Sequence, residues 1–363
     1  MNTFQLHQQY MARCLYLAKL GGSFTSPNPM VGAVVVCDGK IIGEGFHKRY
    51  GEPHAEPNAL NAVKDKSQLR QSTLYVNLEP CSHYGKTPPC ADLIVRSGIP
   101  NVIIGTLDPN PKVSGKGVDI LKKAGVNVEI GVLEEESRHL NRRFFCYQEK
   151  QRPFITLKWA QTADGFIDIM RENQLIPPLK ISNPVTQQLT HKMRSENMAI
   201  LVGTNTVLLD NPSLTLRYWY GKSPVRIAVD RKGIIPDNYH LKDEKVPTII
   251  FTEKQQVNKS NLEYLGAIFD HKCLNDIIKS LYKKNIHSVL VEGGTKLLNS
   301  FIEEGLWDEA NIETSSQIIK QGIRAPILKN AQIDSANTIE NHRWIHYKKN
   351  ETENDIITLG IRD

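Results

Sequence analysis

Disulfide staples, membrane spans and large blocks of charge are all missing from this 363-residue chain. Its six cysteines, at 14, 37, 81, 90, 146 and 273, are too scattered for a disulfide framework. That pattern predicts a reducing, cytoplasmic setting in which thiols are free to hold metal. No apolar run approaches the length of a transmembrane helix, so no membrane partner is expected. Met1-Asn2-Thr3-Phe4-Gln5 offers neither the basic region nor the apolar core of a secretory leader. Charge of one sign is scarce too: 45 Lys and Arg against 39 Asp and Glu leave +6, a mild bias towards anionic ligands. Basic pairs such as Lys122-Lys123 and Lys283-Lys284 fall on helix ends or faces, and none clusters beside His54 or Cys81. A nucleic-acid partner, which would need a basic, aromatic-rich groove, is therefore not expected. Hydrophobic residues at 40% and charged residues at 23% suit a soluble globular protein, and the length favours two domains.

What is present is a compact set of metal ligands. His54-Ala55-Glu56 is followed 24 residues later by Pro80-Cys81, and then by Cys90. One imidazole and two thiols suit a zinc ion that keeps a fourth position for water, and a carboxylate two residues from the histidine is placed to move that water's proton. Zinc deaminases of nucleobases use this set with two residues between the cysteines; here Ser82 to Pro89 make eight. Leu74 to Leu78 reads as a buried strand ended by Glu79-Pro80, so Cys81 falls at a strand-to-loop edge. Pro88-Pro89 before an apolar-periodic run puts Cys90 in the first turn of a helix, where the helix dipole favours a thiolate. Two other readings stand beside this one: a structural zinc site with His83 as fourth ligand, and plain core cysteines. Both leave the His-x-Glu pair unexplained.

Periodicity predicts a helix over 4–20, a β-hairpin over 31–46 turning at Asp38-Gly39, a helix over 54–65, a strand over 73–78 and a helix over 89–98. Strands over 101–106 and 126–130 flank a helix over 116–124, and 134–150 reads as one closing helix. This order suits a layered α/β sheet with helices on both faces. Arg152-Pro153 breaks the pattern, which divides the chain into domains 1–150 and 151–363. The second half alternates again: strands near 154–159, 199–202, 225–229, 247–251 and 288–291, with helices near 184–195 and 294–303. Segments 341–347 and 355–361 read as a terminal hairpin around 350–354.

Thr25-Ser26-Pro27-Asn28-Pro29-Met30-Val31-Gly32, Gly51-Glu52-Pro53-His54-Ala55-Glu56 and Leu78-Glu79-Pro80-Cys81-Ser82-His83-Tyr84-Gly85-Lys86-Thr87-Pro88-Pro89-Cys90 occur in that order. Asp108-Pro109-Asn110-Pro111 and Gly115-Lys116-Gly117 follow. The series closely resembles the RibD family of bifunctional riboflavin-biosynthesis proteins, a pyrimidine deaminase fused to a reductase, and the resemblance covers nearly the whole chain. It implies a cytidine-deaminase-like three-layer α/β/α domain followed by a dihydrofolate-reductase-like α/β domain. It also implies zinc on His54, Cys81 and Cys90, Glu56 as the catalytic proton shuttle, and Asn28, His83 and Lys86 lining the substrate pocket. The implied substrate is a small molecule, 2,5-diamino-6-(5-phosphoribosylamino)pyrimidin-4-one, which loses its 2-amino group; the product's ribosyl unit is then reduced with NADPH. Domains of both kinds commonly self-associate, so a homo-oligomer is expected.

The reductase resemblance rests on Thr156-Leu157-Lys158-Trp159-Ala160, Asp164-Gly165, Arg194-Ser195-Glu196, the run Leu201 to Val207, the run Asp210 to Arg217, and Val291 to Leu297. Strand-glycine-helix junctions at 199–210 and 288–303 offer backbone N–H groups to cofactor phosphates, although neither is Gly-x-Gly-x-x-Gly. The resemblance implies Ala160, Thr206, Asp210, Gly294, Thr295, Lys296 and Leu297 at the cofactor. It implies Arg194, Leu214, Arg217 and Glu292 at the reductase substrate, the arginines being suited to its phosphate. Two stretches depart from the family pattern. Ser-x-Trp-Ile-Thr is here Pro178-Leu179-Lys180-Ile181-Ser182, and Leu-Asp-Gly-Arg is Ala163-Asp164-Gly165-Phe166. The first loses a serine and a tryptophan, the second a cation, so altered contacts, a different cofactor preference or an impaired reductase are the alternatives, and the retained Asp210, Arg194, Arg217 and Glu292 argue for a working one.

Overall fold

The computed structural model describes residues 3–83, 88–110 and 113–350 and divides into two compact units, Met1–Gln151 and Arg152–Asp363. In the first unit the chain runs α1 (Thr3–Lys19), β1 (Gly32–Cys37), β2 (Lys40–Phe46), α2 (Ala55–Ala62), β3 (Thr73–Leu78) and α3 (Cys90–Ser97). It continues through β4 (Asn101–Thr106), α4 (Lys116–Lys123), β5 (Asn127–Ile130), α5 (Glu134–Leu140) and α6 (Arg142–Lys150). The strands form one sheet in the order β2-β1-β3-β4-β5, antiparallel at β2-β1-β3 and parallel from β3 to β5. Strand alternation sorts the core into two layers. Ala33, Val35, Leu74, Val76, Val102 and Ile104 pack with Ala59, Ile94 and Leu121 of α2, α3 and α4. Val34, Val36, Tyr75 and Ile103 pack with Met11, Cys14 and Leu17 of α1.

The closing helix expected over 134–150 is two helices broken at Asn141. The cause lies far away in sequence: the Asn141 side chain accepts from the Met30 N–H at 2.7 Å and donates to the Met30 carbonyl at 2.9 Å. This bond pair fixes the loop ahead of β1 that carries Asn28.

The second unit contains β6 (Phe154–Gln161), β7 (Phe166–Asp168), α7 (Pro184–Glu196), β8 (Ala199–Gly203), α8 (Thr204–Asp210), β9 (Val225–Val229), β10 (Thr248–Thr252) and β11 (Leu262–Gly266). After these come α9 (Cys273–Lys283), β12 (Ser288–Glu292), α10 (Thr295–Glu303), β13 (Glu309–Thr314), β14 (Ile323–Arg324), β15 (Ala331–Ile339) and β16 (His342–Lys349). A nine-stranded sheet takes the order β11-β10-β9-β8-β12-β6-β13-β16-β15, and β7 pairs separately with β14. Strands β11 to β13 are parallel; β16 and β15 are antiparallel. One face packs Ile155, Leu157, Leu201 and Val291 against α9 and α10, with Trp159 and Trp307 in the same cluster. The other packs Ile200, Val202 and Ala228 against Val207 of α8 and Leu214. Helix α7 starts where Asn183 and Thr186 form a reciprocal capping box and Pro184 opens the first turn. The terminal hairpin differs from expectation. The strand at 342–349 turns back at Glu340-Asn341, both with positive φ, and pairs with 331–339 on one edge and with β13 on the other. The segment 355–361 lies outside the described residues. Among those described, no helix is long and apolar enough to cross a membrane.

Candidate active sites

His54 is the residue that enters α2, Cys81 follows the end of β3, and Cys90 opens α3. Packing puts these three ends together. Gly45 lets α2 lie directly on β2, since a Cβ there would stand 2.3 Å from the Ala59 nitrogen. Gly117 lets α4 close over Pro80: a Cβ there would stand 2.1 Å from the Pro80 carbonyl oxygen. The buried Glu79 carboxylate pins the same junction by accepting from the N–H groups of Asp108, Gly115, Gly117 and Val118 at 2.9–3.3 Å. The Gly-Lys-Gly motif thus positions Cys81 from behind.

His54 Nδ1 lies 3.6 Å from Cys81 Sγ and 3.4 Å from Cys90 Sγ, and all three donor atoms lie within 4.8 Å of one another. Tetrahedral zinc with ordinary Zn–N and Zn–S lengths needs N···S edges of about 3.6 Å. The donor set fits zinc. Among the described residues this cluster has three protein donors, and His83 is exposed outside it, as an open coordination position requires. Glu56 is 3% exposed, and its Oε2 has no hydrogen-bond partner among the described residues. Burial, and then the neighbouring Cys81, push the Glu56 carboxyl up to about 7, against the opposing pull of His54. Cys81 is lowered to about 4 by the hydrogen bond from Cys90, with His54 and the Cys90 N–H adding to it.

Asn28 Nδ2 lies 3.2 Å from His47 Nε2, and His47 Nδ1 lies 3.1 Å from the Pro53 carbonyl. A carbonyl only accepts, so Nδ1 carries the proton and Asn28 donates to Nε2. The His47 ring meets His54 edge-on at 5.4 Å. His47 escaped the sequence reading because no motif spacing marks it. Asp108 was visible in its motif but given no role; burial raises it to about 6, opposed in part by His83. Lys86 lies outside the described residues.

In the second unit, Gly203 and Gly294 are the N-cap residues of α8 and α10, neither helix having a side-chain cap. The Gly294 N–H donates to Thr206 Oγ1 at 3.1 Å, and Leu297 packs at Gly203, so the two junctions meet. Thr295 donates to the Arg324 carbonyl at 2.5 Å, and Lys296 is exposed beside it. Arg194 donates twice to Glu292, at 2.9 and 2.6 Å, in a pair only 12% and 14% exposed. Lys158, quoted in the sequence motif without a role, is buried near this pair. The Arg217 N–H donates to His191 Nδ1 at 3.0 Å, which ties that segment to α7. Leu214 is buried with a φ of 51°. Asp210 differs from a free cofactor ligand: Arg171 bridges it at 2.5 Å and Asp168 at 2.7 Å. Ala160 lies on β6, in register with Glu313 of β13.

The departures also acquire a physical account. Phe166 carries the Arg324 guanidinium over its ring at 4.2 Å, so a cation stands at the 163–166 segment after all, supplied from β14. Ser182 donates to Glu313 at 2.6 Å.

A three-donor metal cluster with a buried carboxylate in an α/β/α unit, followed by a mostly parallel sheet with glycine-led helices, defines a zinc deaminase joined to a reductase. Residues 4–106 match the family described as the cytidine and deoxycytidylate deaminase zinc-binding region, and residues 153–335 match the RibD C-terminal domain. The riboflavin biosynthesis protein RibD of Aquifex aeolicus is 43% identical over 324 residues, spanning 88% of this chain and 89% of the relative. That of Escherichia coli is 34% identical over 336 residues, 87% of this chain and 89% of the relative. The crystal structure of a Thermotoga maritima diaminohydroxyphosphoribosylaminopyrimidine deaminase/5-amino-6-(5-phosphoribosylamino)uracil reductase superposes with a TM-score of 0.86 at 37% identity, covering 96% of this chain and all of that one. Acinetobacter baumannii RibD gives a TM-score of 0.85 at 30% identity, covering 96% of this chain and all of that one. The chain belongs to the RibD family, the bifunctional deaminase–reductases of riboflavin biosynthesis.

Proposed function

We propose that residues 1–150 deaminate 2,5-diamino-6-(5-phosphoribosylamino)pyrimidin-4-one and that residues 151–363 reduce the ribosyl group of the product to ribityl. The observation that carries the reading is the cluster of His54, Cys81 and Cys90, with both N···S distances close to a tetrahedral zinc edge, beside a buried Glu56 oxygen unpartnered among the described residues. His54, Cys81 and Cys90 would hold zinc, whose Lewis acidity makes a water nucleophilic near neutral pH. Glu56, kept dry and with a carboxyl near 7, takes the proton of the attacking water and delivers it to the departing amino nitrogen. Oxygen replaces nitrogen on the ring carbon, and ammonia leaves. Asn28, oriented by His47, joins His83 and Lys86 in holding the pyrimidine and its ribose phosphate.

In the second unit Ala160, Thr206, Asp210, Gly294, Thr295, Lys296 and Leu297 would hold NADPH, which would supply a hydride to C1′ of the sugar as the C1′–O4′ bond opens and O4′ takes a proton. Arg194, Leu214, Arg217 and Glu292 bind the deaminated intermediate. Glu292, fixed by Arg194, presents a carboxylate whose pKa burial raises but whose neighbours Arg194 and Lys158 bring down below the usual range. A homo-oligomer in the cytoplasm completes the reading.

The test follows ammonia release and NADPH absorbance in parallel on zinc-quantified protein, with Glu56→Gln as control. The expected result is ammonia followed by NADPH loss, with ammonia abolished in Glu56→Gln and reduction of supplied intermediate retained. No ammonia despite bound zinc would overturn the substrate assignment; ammonia without NADPH loss would overturn the reductase half.

A further inference from the structure

Lys158 sits in a buried charge cluster of which only one side, the Arg194–Glu292 pair, enters the reading above. It projects from β6 on the same face as Ala160, in register with Glu292 on β12 and Asn311 on β13. Two residues along β13, on that same face, stands Glu313, the register partner of Ala160. Glu313 is 0% exposed. A carboxylate this deep is costly unless its oxygens are bonded and its charge is answered. The first condition is met. Ser182 Oγ donates to Oε2 at 2.6 Å and His342 Nδ1 donates to Oε1 at 2.7 Å, so the carboxylate is held from α7's entry and from β16.

Beyond these bonds its charge acts on Lys158, which extends along the same face towards Trp344. The Trp344 ring, in register with Glu313, lies 6.0 Å from Lys158 Nζ, and its indole N–H is tied to Asn311 at 3.2 Å, which confines the lysine stem. The charged groups facing Lys158 are Glu292 from β12, Glu313 from β13, and Arg194 with the neighbouring His191 from α7. Glu292 is already engaged twice by Arg194. Burial lowers the Lys158 pKa, Glu292 and then Glu313 raise it, and Arg194 lowers it further.

We infer that Glu313 is a positioning residue of the reductase site: anchored by Ser182 and His342, it holds the Lys158 side chain in place beside Ala160. The inference rests on the reductase reading. It gives the departed 178–182 segment a function, because Ser182 is one of the two anchors.

The experiment measures Lys158 acetylation by acetic anhydride across pH in the full chain, read by peptide mass spectrometry, alongside the pH profile of NADPH oxidation. In Glu313→Gln the acetylation midpoint is expected to fall by about one pH unit or more, the size of losing one nearby opposite charge. The basic limb of NADPH oxidation moves the same way, and Glu313→Asp restores most of both. In a Lys158→Arg background, Glu313→Gln adds no shift to that limb. An unmoved acetylation midpoint in a Glu313→Gln protein that still releases ammonia overturns the inference. If Glu313→Gln does not fold, His342→Phe removes one anchor; a smaller fall in midpoint supports the inference and an unmoved midpoint overturns it. Failure of the wild-type chain to oxidise NADPH would sink the reductase reading, while the acetylation arm still decides Glu313.

Discussion

At the scale of single residues, the two sites place carboxylates in opposite situations. Glu56 is buried with one oxygen unpartnered, whereas Glu292 and Glu313 are buried with both oxygens bonded. Burial raises the Glu56 carboxyl and leaves it ready to exchange protons, whereas the other two have their oxygens occupied and hold neighbours in place. Glu56→Gln keeps the shape and removes the proton exchange, so ammonia release should fall about 10²- to 10⁴-fold with zinc content unchanged. Arg194→Met leaves the Glu292 charge buried without its partner. A loss of roughly 3–5 kcal/mol in the unfolding of the second unit is expected in urea titration, with ammonia release by folded protein unaffected. The zinc donors were legible in the sequence because each sits at the end of a short, strongly patterned element. Glu313, Ser182 and His342 were not legible, because they meet from three segments that share no motif and no spacing.

Elements were legible where burial alternates and illegible where it does not. β3 and β9 have the bounds their apolar runs predicted. β15 escaped because seven of its nine residues are exposed, leaving no apolar period to find. The α5–α6 break escaped for a different reason: its cause, the Met30 backbone, is 111 residues away. Glycine at 117 is the element-scale feature with the clearest consequence. Gly117→Ala must push α4 away from Pro80 or move the Cys81 loop, an overpacking cost of about 1–3 kcal/mol. Zinc affinity measured against a competing chelator should weaken, while NADPH oxidation on supplied intermediate stays at the wild-type rate.

For the whole molecule, the acid sensitivity of the second unit has an identifiable source. His287 is 7% exposed, and burial lowers its pKa to about 4 from an ordinary 6.5. Above pH 6.5 both folded and unfolded chains leave it neutral. As pH falls from 6.5 towards 4 the unfolded chain takes a proton that the folded unit refuses. Stability is therefore lost across that window, by an amount on the order of 2–3 kcal/mol from this group. His287→Leu should flatten that slope in urea titrations at pH 7 and pH 4.5. An equal slope in the variant would show that other groups carry it.

The four tryptophans of the chain, 159, 219, 307 and 344, all lie within Arg152–Asp363, three of them buried. The protein is therefore optically one-sided. Indole emission watches the hydride-transferring half, and the metal-holding half is visible only through its tyrosines and thiols. Chelation should release zinc and expose thiols to a colorimetric reagent while the tryptophan spectrum stays fixed, and NADPH should quench that spectrum with no change in thiol reactivity. One cuvette can thus report on two chemistries without any added label.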